Sequence, residues 1–371
     1  MKSILENDKK KIKIRNSKYI LGDCIIELEK IESNSIDLAF CDPPYNLQLS
    51  KKLYRPDMTF VSGVDESWDK FSSFQEYDEF TVNWLKKIKR VLKANGALWV
   101  IGSYHNIYRI GYLMQNLGFW FLNDIIWTKT NPMPNFKGTR FTNAHETIIW
   151  ASKSKEAKYT FNYRTMKKLN NDKQMRSDWV FKTCNGKERV KDNTDRKLHS
   201  AQKPEQLLER IILATTNPGD MVLDPFFGTG TTGSVCKRLR RKFIGIESNP
   251  EYLKHAKDRI MKIKESKISK LYLNEEKKYQ NRIPFSYLIQ KGLIKVGNSL
   301  FNHNKNVRAK VMSDGSLKLN KNVGSIHKIG ALAQNRVSCN GWDYWYVSNN
   351  NKLISINEHR DHLRSSKILK E

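Results

Sequence analysis

Two short strings carry most of the chemistry in this chain of 371 residues. The first is Asp42-Pro43-Pro44-Tyr45, which follows the apolar run Ile36–Cys41. That run reads as a buried strand, so the carboxylate falls at a strand's carboxyl end, where open α/β sheets place their ligands. The two prolines fix the backbone, and Tyr45 offers a flat face. The set suits methylation of an exocyclic amine on a nucleobase. The lone pair of such a nitrogen is delocalised into the ring, so it is a poor nucleophile. Asp42 and the carbonyl of Pro43 can each accept one of its N–H bonds, pyramidalise it and aim the lone pair at an electrophilic methyl. The same acceptors stabilise the positive charge that develops on nitrogen. A plain turn is the competing reading of these four residues. Methylation at cytosine C5 is disfavoured, because it needs a thiolate nucleophile, usually presented after a proline, and no Pro-Cys pair exists.

The second string runs from residue 221 to 233 and contains Asp224-Pro225-Phe226-Phe227-Gly228-Thr229-Gly230, then Gly233. It satisfies G-x-G-x-x-G between a strand and a helix, with Glu247 about twenty residues on, which is formally the dinucleotide fingerprint. A Walker A loop is excluded, because no lysine sits at the required place. Asp224 weighs against a nicotinamide dinucleotide: a carboxylate there repels a pyrophosphate but suits an ammonium. S-adenosylmethionine carries an ammonium, a sulfonium and a ribose, and no phosphate. Glu247 can accept both ribose hydroxyls in either reading. The methyl donor is favoured, with the dinucleotide and an empty turn as alternatives.

These loops need a scaffold. Short apolar runs at 19–21, 36–41, 97–102, 147–151, 221–223 and 243–246 read as buried strands. Helical patterns lie between them: one from near Phe74 to before Asn95-Gly96, one from Pro204, and one from Pro250 with Asn249 as its cap. The alternation predicts an α/β fold with a mostly parallel, doubly wound sheet. Segments 46–73 and 164–198 interrupt it as long polar, basic stretches, of the kind that are functional loops or disordered. We divide the chain into a basic lead-in (1–18), a methyltransferase-like domain (19–260), a linker (261–283) and a small β-containing domain (284–371). Turn signals at Asp314-Gly315, Asn322–Gly324 and Asn340-Gly341 mark the last.

Composition agrees. Sixty-six Lys and Arg against 38 Asp and Glu give a net charge of +28, which points to a polyanion, most simply nucleic acid. No apolar run approaches the ~18–20 residues of a membrane span, and no signal-peptide core opens the chain. The five cysteines are scattered without a C-x-x-C pair, so neither a metal site nor a disulfide framework is indicated and a reducing cytosol fits.

Asp42 to Tyr45 resembles the catalytic motif of DNA amino-methyltransferases, and Asp224 to Gly230, with Phe226, resembles their cofactor loop. The catalytic motif comes first, as in the β class. His199-Ser-Ala-Gln-Lys203-Pro204 resembles the segment before the cofactor loop of that class. Gly22-Asp23-Cys24 resembles the site where an Asp meets the donor's adenine ring. The string 141–146 resembles a motif near the target base, and Arg140, Asn143 and His145 are candidate DNA contacts. To the end of the chain, residues 324–330 and 339–346 resemble the C-terminal domain of the bacterial cell-cycle-regulated DNA adenine methyltransferases. The resemblance implies a seven-stranded sheet, S-adenosylmethionine held by Asp23, Cys24, His199, Lys203, Pro204, Asp224, Phe226, Gly228, Gly230, Glu247 and Asn249, and catalysis by Asp42, Pro43, Pro44 and Tyr45. It further implies adenine N6 methylation at GANTC in duplex DNA by a homodimer, with His327, Lys328, Asn340 and Trp342 among the DNA contacts. Cytosine N4 methylation by the same chemistry and a catalytically silent DNA-binding regulator remain open.

The amine lies inside a duplex, so the nucleotide must leave the stack. Trp68, Phe71, Trp127, Phe136, Arg140, Arg164 and Trp179 are candidates for that work, each also readable as packing or solvated charge. In the C-terminal domain, Lys310, Lys318, Lys328 and Arg336 stand among Trp342, Tyr344, Trp345 and Tyr346, which suits phosphate contact beside stacking, with some of these aromatics in the core.

Overall fold

The computed structural model describes residues 16–47, 67–135, 138–192, 194–265, 283–349 and 352–365. Most of the lead-in, residues 48–66 of the first interrupting stretch, Phe136 and most of the linker lie outside them. The chain forms two compact units, residues 1–275 and 276–371.

Unit one contains, in order, β1 (Lys18–Leu21), α1 (Cys24–Lys30), β2 (Ile36–Cys41), α2 (Phe74–Val91), β3 (Leu92–Gly102), α3 (Ile107–Asn116), β4 (Trp120–Lys129), β5 (His145–Ser152), α4 (Tyr163–Leu169), β6 (Asp178–Phe181), α5 (Glu205–Thr215), β7 (Met221–Asp224), α6 (Thr231–Arg238), β8 (Lys242–Glu247) and α7 (Pro250–Met261). One eight-stranded sheet runs β1-β8-β7-β2-β3-β5-β4-β6. All its pairings are parallel except β3–β5 and β5–β4. The sheet has one strand more than the resemblance implies. The addition is the edge strand β6, which comes from the second interrupting stretch and pairs with β4.

Strand β2 shows why such strands read as continuous apolar runs. Leu38 and Phe40 enter the core on one face of the sheet, and Ile36, Ala39 and Cys41 the core on the other. Both faces exclude water, so period-two alternation disappears. By contrast β4 carries Asn123 and Asp124, exposed in mid-strand, and was illegible as an apolar run. Helix α2 is set by Ser73, whose hydroxyl accepts the Glu76 N–H at 3.1 Å, while the Glu76 carboxylate accepts the Ser72 N–H at 2.7 Å. The helix ends at Val91, earlier than Asn95-Gly96 suggests. Leu92 is already extended, and those two residues form an irregularity inside β3, where a Cβ on Gly96 would meet the Ile36 carbonyl at 3.0 Å.

The strand order reverses between β2 and β7. From β2 the chain crosses to β3 on one side, and from β7 it crosses to β8 on the other. The loops leaving these two adjacent parallel strands therefore diverge, which opens a crevice at the switch point. Asp42 and Asp224 sit at its two lips.

Unit two contains α8 (Phe285–Gln290), β9 (Ser299–Phe301), β10 (Arg308–Val311), β11 (Leu317–Leu319), β12 (Asn322–Gly324), α9 (Ile326–Ala333), α10 (Gly341–Tyr344), β13 (Tyr346–Asn349), β14 (Lys352–Ser355) and α11 (Ile356–Ser365). Its antiparallel sheet runs β12-β11-β10-β9-β13-β14. Asp314-Gly315 makes the β10–β11 turn, with Gly315 at φ +81°. The other two turn signals resolve differently. Asn322–Gly324 is strand β12, and Asn340-Gly341 starts α10, where Asn340 accepts the Trp342 N–H at 3.3 Å. Among the described residues no helix is long and apolar enough to cross a membrane.

Candidate active site

The backbone after β2 is gripped from two sides. Asp69 accepts three successive main-chain N–H groups, from Tyr45 (2.5 Å), Asn46 (2.8 Å) and Leu47 (3.0 Å). The Pro44 carbonyl accepts the Tyr77 hydroxyl at 2.7 Å and the Asn106 amide at 3.3 Å. Rigidity at this elbow thus comes from Asp69, α2 and the start of α3 as well as from the prolines.

Four ionisable groups converge on the elbow. Lys203 lies 2.8 Å from Asp42 Oδ2 and 3.9 Å from Glu146 Oε2. Glu146 pairs with Lys129 at 2.7 Å and accepts the Tyr45 hydroxyl at 2.9 Å. Lys203 Nζ also stands 5.0 Å from the centre of the Tyr45 ring. Burial pushes the Asp42 carboxyl above its ordinary value, and Lys203 pulls it part of the way back. Burial acts the same way on Glu146, but Lys203 and Lys129 outweigh it and hold that carboxyl low. For Lys203 itself burial opposes charge, and Asp42 with Glu146 more than offsets it, so the ammonium is held above its usual range. Asp42 Oδ1 remains buried with no hydrogen-bond partner among the described residues. A buried unpaired carboxylate oxygen is costly to leave unused, and Asp42 lines a cleft.

Across that cleft, Asp224 is occupied by its own loop. Oδ1 accepts the Phe226 N–H at 3.0 Å and Oδ2 the Thr232 hydroxyl at 2.5 Å. Burial pushes its carboxyl up to about 7. Gly228 and Gly230 adopt left-handed φ values of +50° and +76°, which glycine takes without a Cβ clash. Glu247 accepts the Gly228 N–H at 2.7 Å on Oε2, which keeps a lone pair for a hydroxyl, while Oε1 accepts the Asn249 N–H at 2.8 Å and the Ser248 hydroxyl at 3.5 Å. At the neighbouring tip of β1, Asp23 caps α1 by accepting the Ile26 N–H at 3.1 Å. Cys24 is a wall residue whose thiol burial pushes up to about 12, so it is inert.

The cleft, about 300 Å³, is lined by Asp23, Asp42, Asp69, Asp224 and Glu247, with Lys203 as the opposing cation. A cavity this acidic suits a sulfonium and an ammonium and repels a pyrophosphate, which disfavours the dinucleotide. The chain's own residues therefore fit S-adenosylmethionine. His199 packs between Trp68 and Tyr252, at 5.8 and 4.9 Å, and burial with Lys203 pushes it down to about 4, so the imidazole is neutral. Arg189 holds its position by donating to the His199 carbonyl at 3.2 Å, and the Gln202 side chain bonds Glu188 and Val190 main-chain groups at 2.8 and 2.9 Å. Much of the second interrupting stretch is thus an ordered buttress.

Several assigned residues stand differently from their sequence reading. Lys203 serves Asp42 rather than the donor's end of the cleft. The Asn249 side-chain oxygen is committed to the cap of α7, accepting from Glu251 and Tyr252 at 2.9 and 3.2 Å. Phe226 packs edge-on against Trp84 at 5.6 Å while lining the cleft, and Pro204 caps α5. Trp127 and Trp179 are core residues at 2% and 4% exposure, so they cannot open a duplex. Arg140, Asn143 and His145 are exposed on the segment that enters Glu146. In unit two Lys328 is exposed, but His327 accepts the Gly341 N–H at 3.0 Å and Asn340 caps α10. Trp342 is mostly buried, packed edge-on by Phe285 and capped by the Arg360 guanidinium at 4.2 Å. Its first role is in the core. Asp69, Lys129 and Glu146 escaped assignment. Glu146 closes the 141–146 string, whereas the other two carry no local signal, since their partners are distant in sequence.

Residues 36–258 match a family model described as DNA methylase, covering N6 and N4 amine methylases. Residues 266–367 match a second, described as Restriction Enzyme Adenine Methylase Associated. The chain is 52% identical over 339 residues to the Type II methyltransferase M.HinfI of Haemophilus influenzae, spanning 91% of this chain and 94% of that protein. It is 45% identical to the Type II methyltransferase M2.LlaDCHI of Lactococcus lactis subsp. cremoris, over 67% of this chain and 90% of the relative. The fold resembles that of the cytosine-N4-specific PvuII DNA methyltransferase, with TM-score 0.52, 23% identity, 70% of this chain and 92% of the other.

Proposed function

Because the chain belongs to the N6/N4 DNA methylase family, and is thus a DNA methyltransferase that uses S-adenosylmethionine, we propose that it methylates adenine N6 in duplex DNA, at GANTC. The observation that carries the amine chemistry is the Asp42 carboxylate at the lip of an acidic cleft, with Oδ2 fixed by Lys203 and Oδ1 buried and unpartnered. Adenine is favoured over cytosine by the adenine-methylase-associated character of residues 266–367 and by Asp, rather than Ser, ahead of the two prolines. The target sequence and a homodimeric state rest on resemblance to the cell-cycle-regulated adenine methyltransferases.

When bound, the donor supplies a methyl group on a positively charged sulfur. The remaining work falls to the protein. Asp42 Oδ1 and the Pro43 carbonyl accept the two amine N–H bonds and localise the lone pair. Lys203 keeps Asp42 anionic and in place, so its field is ready before charge develops on nitrogen. Lys203 covers one face of Tyr45, and the base stacks on the other. The surplus amine proton passes to Asp42 Oδ1. Asp23 and Glu247 take the adenosine end, and the peptide group at Gly228 lies in the cleft wall, whereas Gly230 does not line the cleft and makes room for Ala256 of α7, 2.8 Å from where its Cβ would be. In this division of labour residues 19–260 perform the chemistry and residues 284–371, with Lys328 at the surface, grip the DNA.

Incubation of the purified protein with methyl-labelled donor and a GANTC duplex, followed by nucleoside analysis, tests the proposal. Labelled N6-methyladenine is expected. Labelled N4-methylcytosine would overturn the choice of base. No label in any duplex would leave the silent regulator. Equal labelling of a scrambled duplex would remove the target sequence.

A further inference from the structure

We propose that Phe141 is the wedge that enters the duplex as the target base leaves it. This rests on the reading of the chain as a duplex-DNA amine methylase. Phe141 is 98% exposed, an unusual position for a phenyl ring. It has no aromatic or cationic partner among the described residues. Side chains on both sides of it, by contrast, have partners in or near the catalytic elbow. On one side Arg140 donates to the Tyr104 hydroxyl at 2.7 Å and lies over its ring at 5.8 Å. Tyr104 stacks on His105 at 4.0 Å, and Asn106 next to it donates to the Pro44 carbonyl. On the other side, five residues on, Glu146 accepts the Tyr45 hydroxyl. A five-residue span covers at most about 18 Å, so the ring cannot lie far from the Glu146–Tyr45 pair.

Of the other aromatics, Tyr108 and Tyr112 are exposed but belong to the helix α3 rather than to a loop. Trp68 packs on His199 in the cleft wall, Arg109 lies over Phe74 at 4.6 Å, and Trp127 and Trp179 are buried. A base drawn to Asp42 leaves a gap in the stack, and an apolar ring fills such a gap at the least cost in lost stacking. Arg140 beside the ring has guanidinium donors beyond the one given to Tyr104, which suit a flanking phosphate.

The test compares two substrates at the same target: a fully paired duplex and a duplex in which the target adenine faces an abasic site, so that little opening work remains. Phe141→Ala is expected to lower kcat/KM on the paired duplex by about tenfold or more while changing the abasic substrate by less than about twofold, since opening costs a few kcal/mol. Phe141→Trp should restore the paired rate. A 2-aminopurine at the target should brighten on binding to the wild type and stay dark with Phe141→Ala. An unchanged paired rate, or equal loss on both substrates, overturns the wedge. Failure of the wild type to methylate either substrate would instead overturn the underlying function, and the wedge with it.

Discussion

The tips of β2 and β7 begin alike and end differently. Each places an Asp-Pro pair at the carboxyl end of a buried parallel strand, and the two strands are neighbours. Asp224 turns inward and satisfies both oxygens from its own loop, through Phe226 and Thr232. Asp42 has one oxygen fixed by a lysine from another part of the chain and the other left bare. Identical local chemistry therefore yields a carboxylate satisfied by its own loop at one tip and one with an unpartnered oxygen at the other. The deciding factor is the source of the hydrogen-bond donors. Donors from the same loop make a rigid turn, whereas a distant donor leaves a lone pair free for substrate.

Substitutions can break or sharpen this contrast. Asp42→Ala removes the bare oxygen and should cut methyl transfer by about a thousandfold or more, the upper range for one preorganised electrostatic contact, with donor affinity retained by calorimetry. Loss of donor binding in that variant would place Asp42 in the cofactor site. Lys203→Met should lower kcat by about a hundredfold and change the pH profile. Asp42 acts as an anion and burial already raises its pKa, so activity falls with acid above the usual Asp range; without the lysine that limb should move to still higher pH. An unmoved limb would detach Lys203 from Asp42. Asp224→Asn keeps the acceptor for the Phe226 N–H and loses the one for Thr232. It should cost about 1–3 kcal/mol of stability in denaturant titration and weaken donor binding, with kcat at saturation little changed. A collapse of kcat at saturating donor would erase the contrast. Asp69→Asn leaves fewer acceptor sites for three N–H groups, and a several-fold fall in kcat with unchanged donor affinity is expected. A loss of donor affinity instead would tie Asp69 to the adenosyl end.

What could be read directly follows from burial. Strands β2, β7 and β8 are covered on both faces, so their middles are dominated by apolar residues and stand out. Strands β4 and β6 at the sheet's edge carry polar residues and do not. The aromatic residues show the same limit. Trp127, Trp179 and Trp342 suit nucleic acid by type, yet all three are core residues, because a large ring is equally well used to fill space. Phe141 is the reverse, a core-type residue held out in solvent.

The amino-acid sequence by itself determined the two loops, their place at strand tips, the donor class and the family, since each depends on residues adjacent in the chain or on backbone conformations that only proline or glycine takes readily. Only the tertiary structure decided that Lys203 belongs to Asp42, that Asp69 holds the elbow, and that Glu146 and Lys129 complete the charge balance. Those contacts join groups 17 to about 160 residues apart in the chain, and a buried charge finds its partner in space, not in sequence.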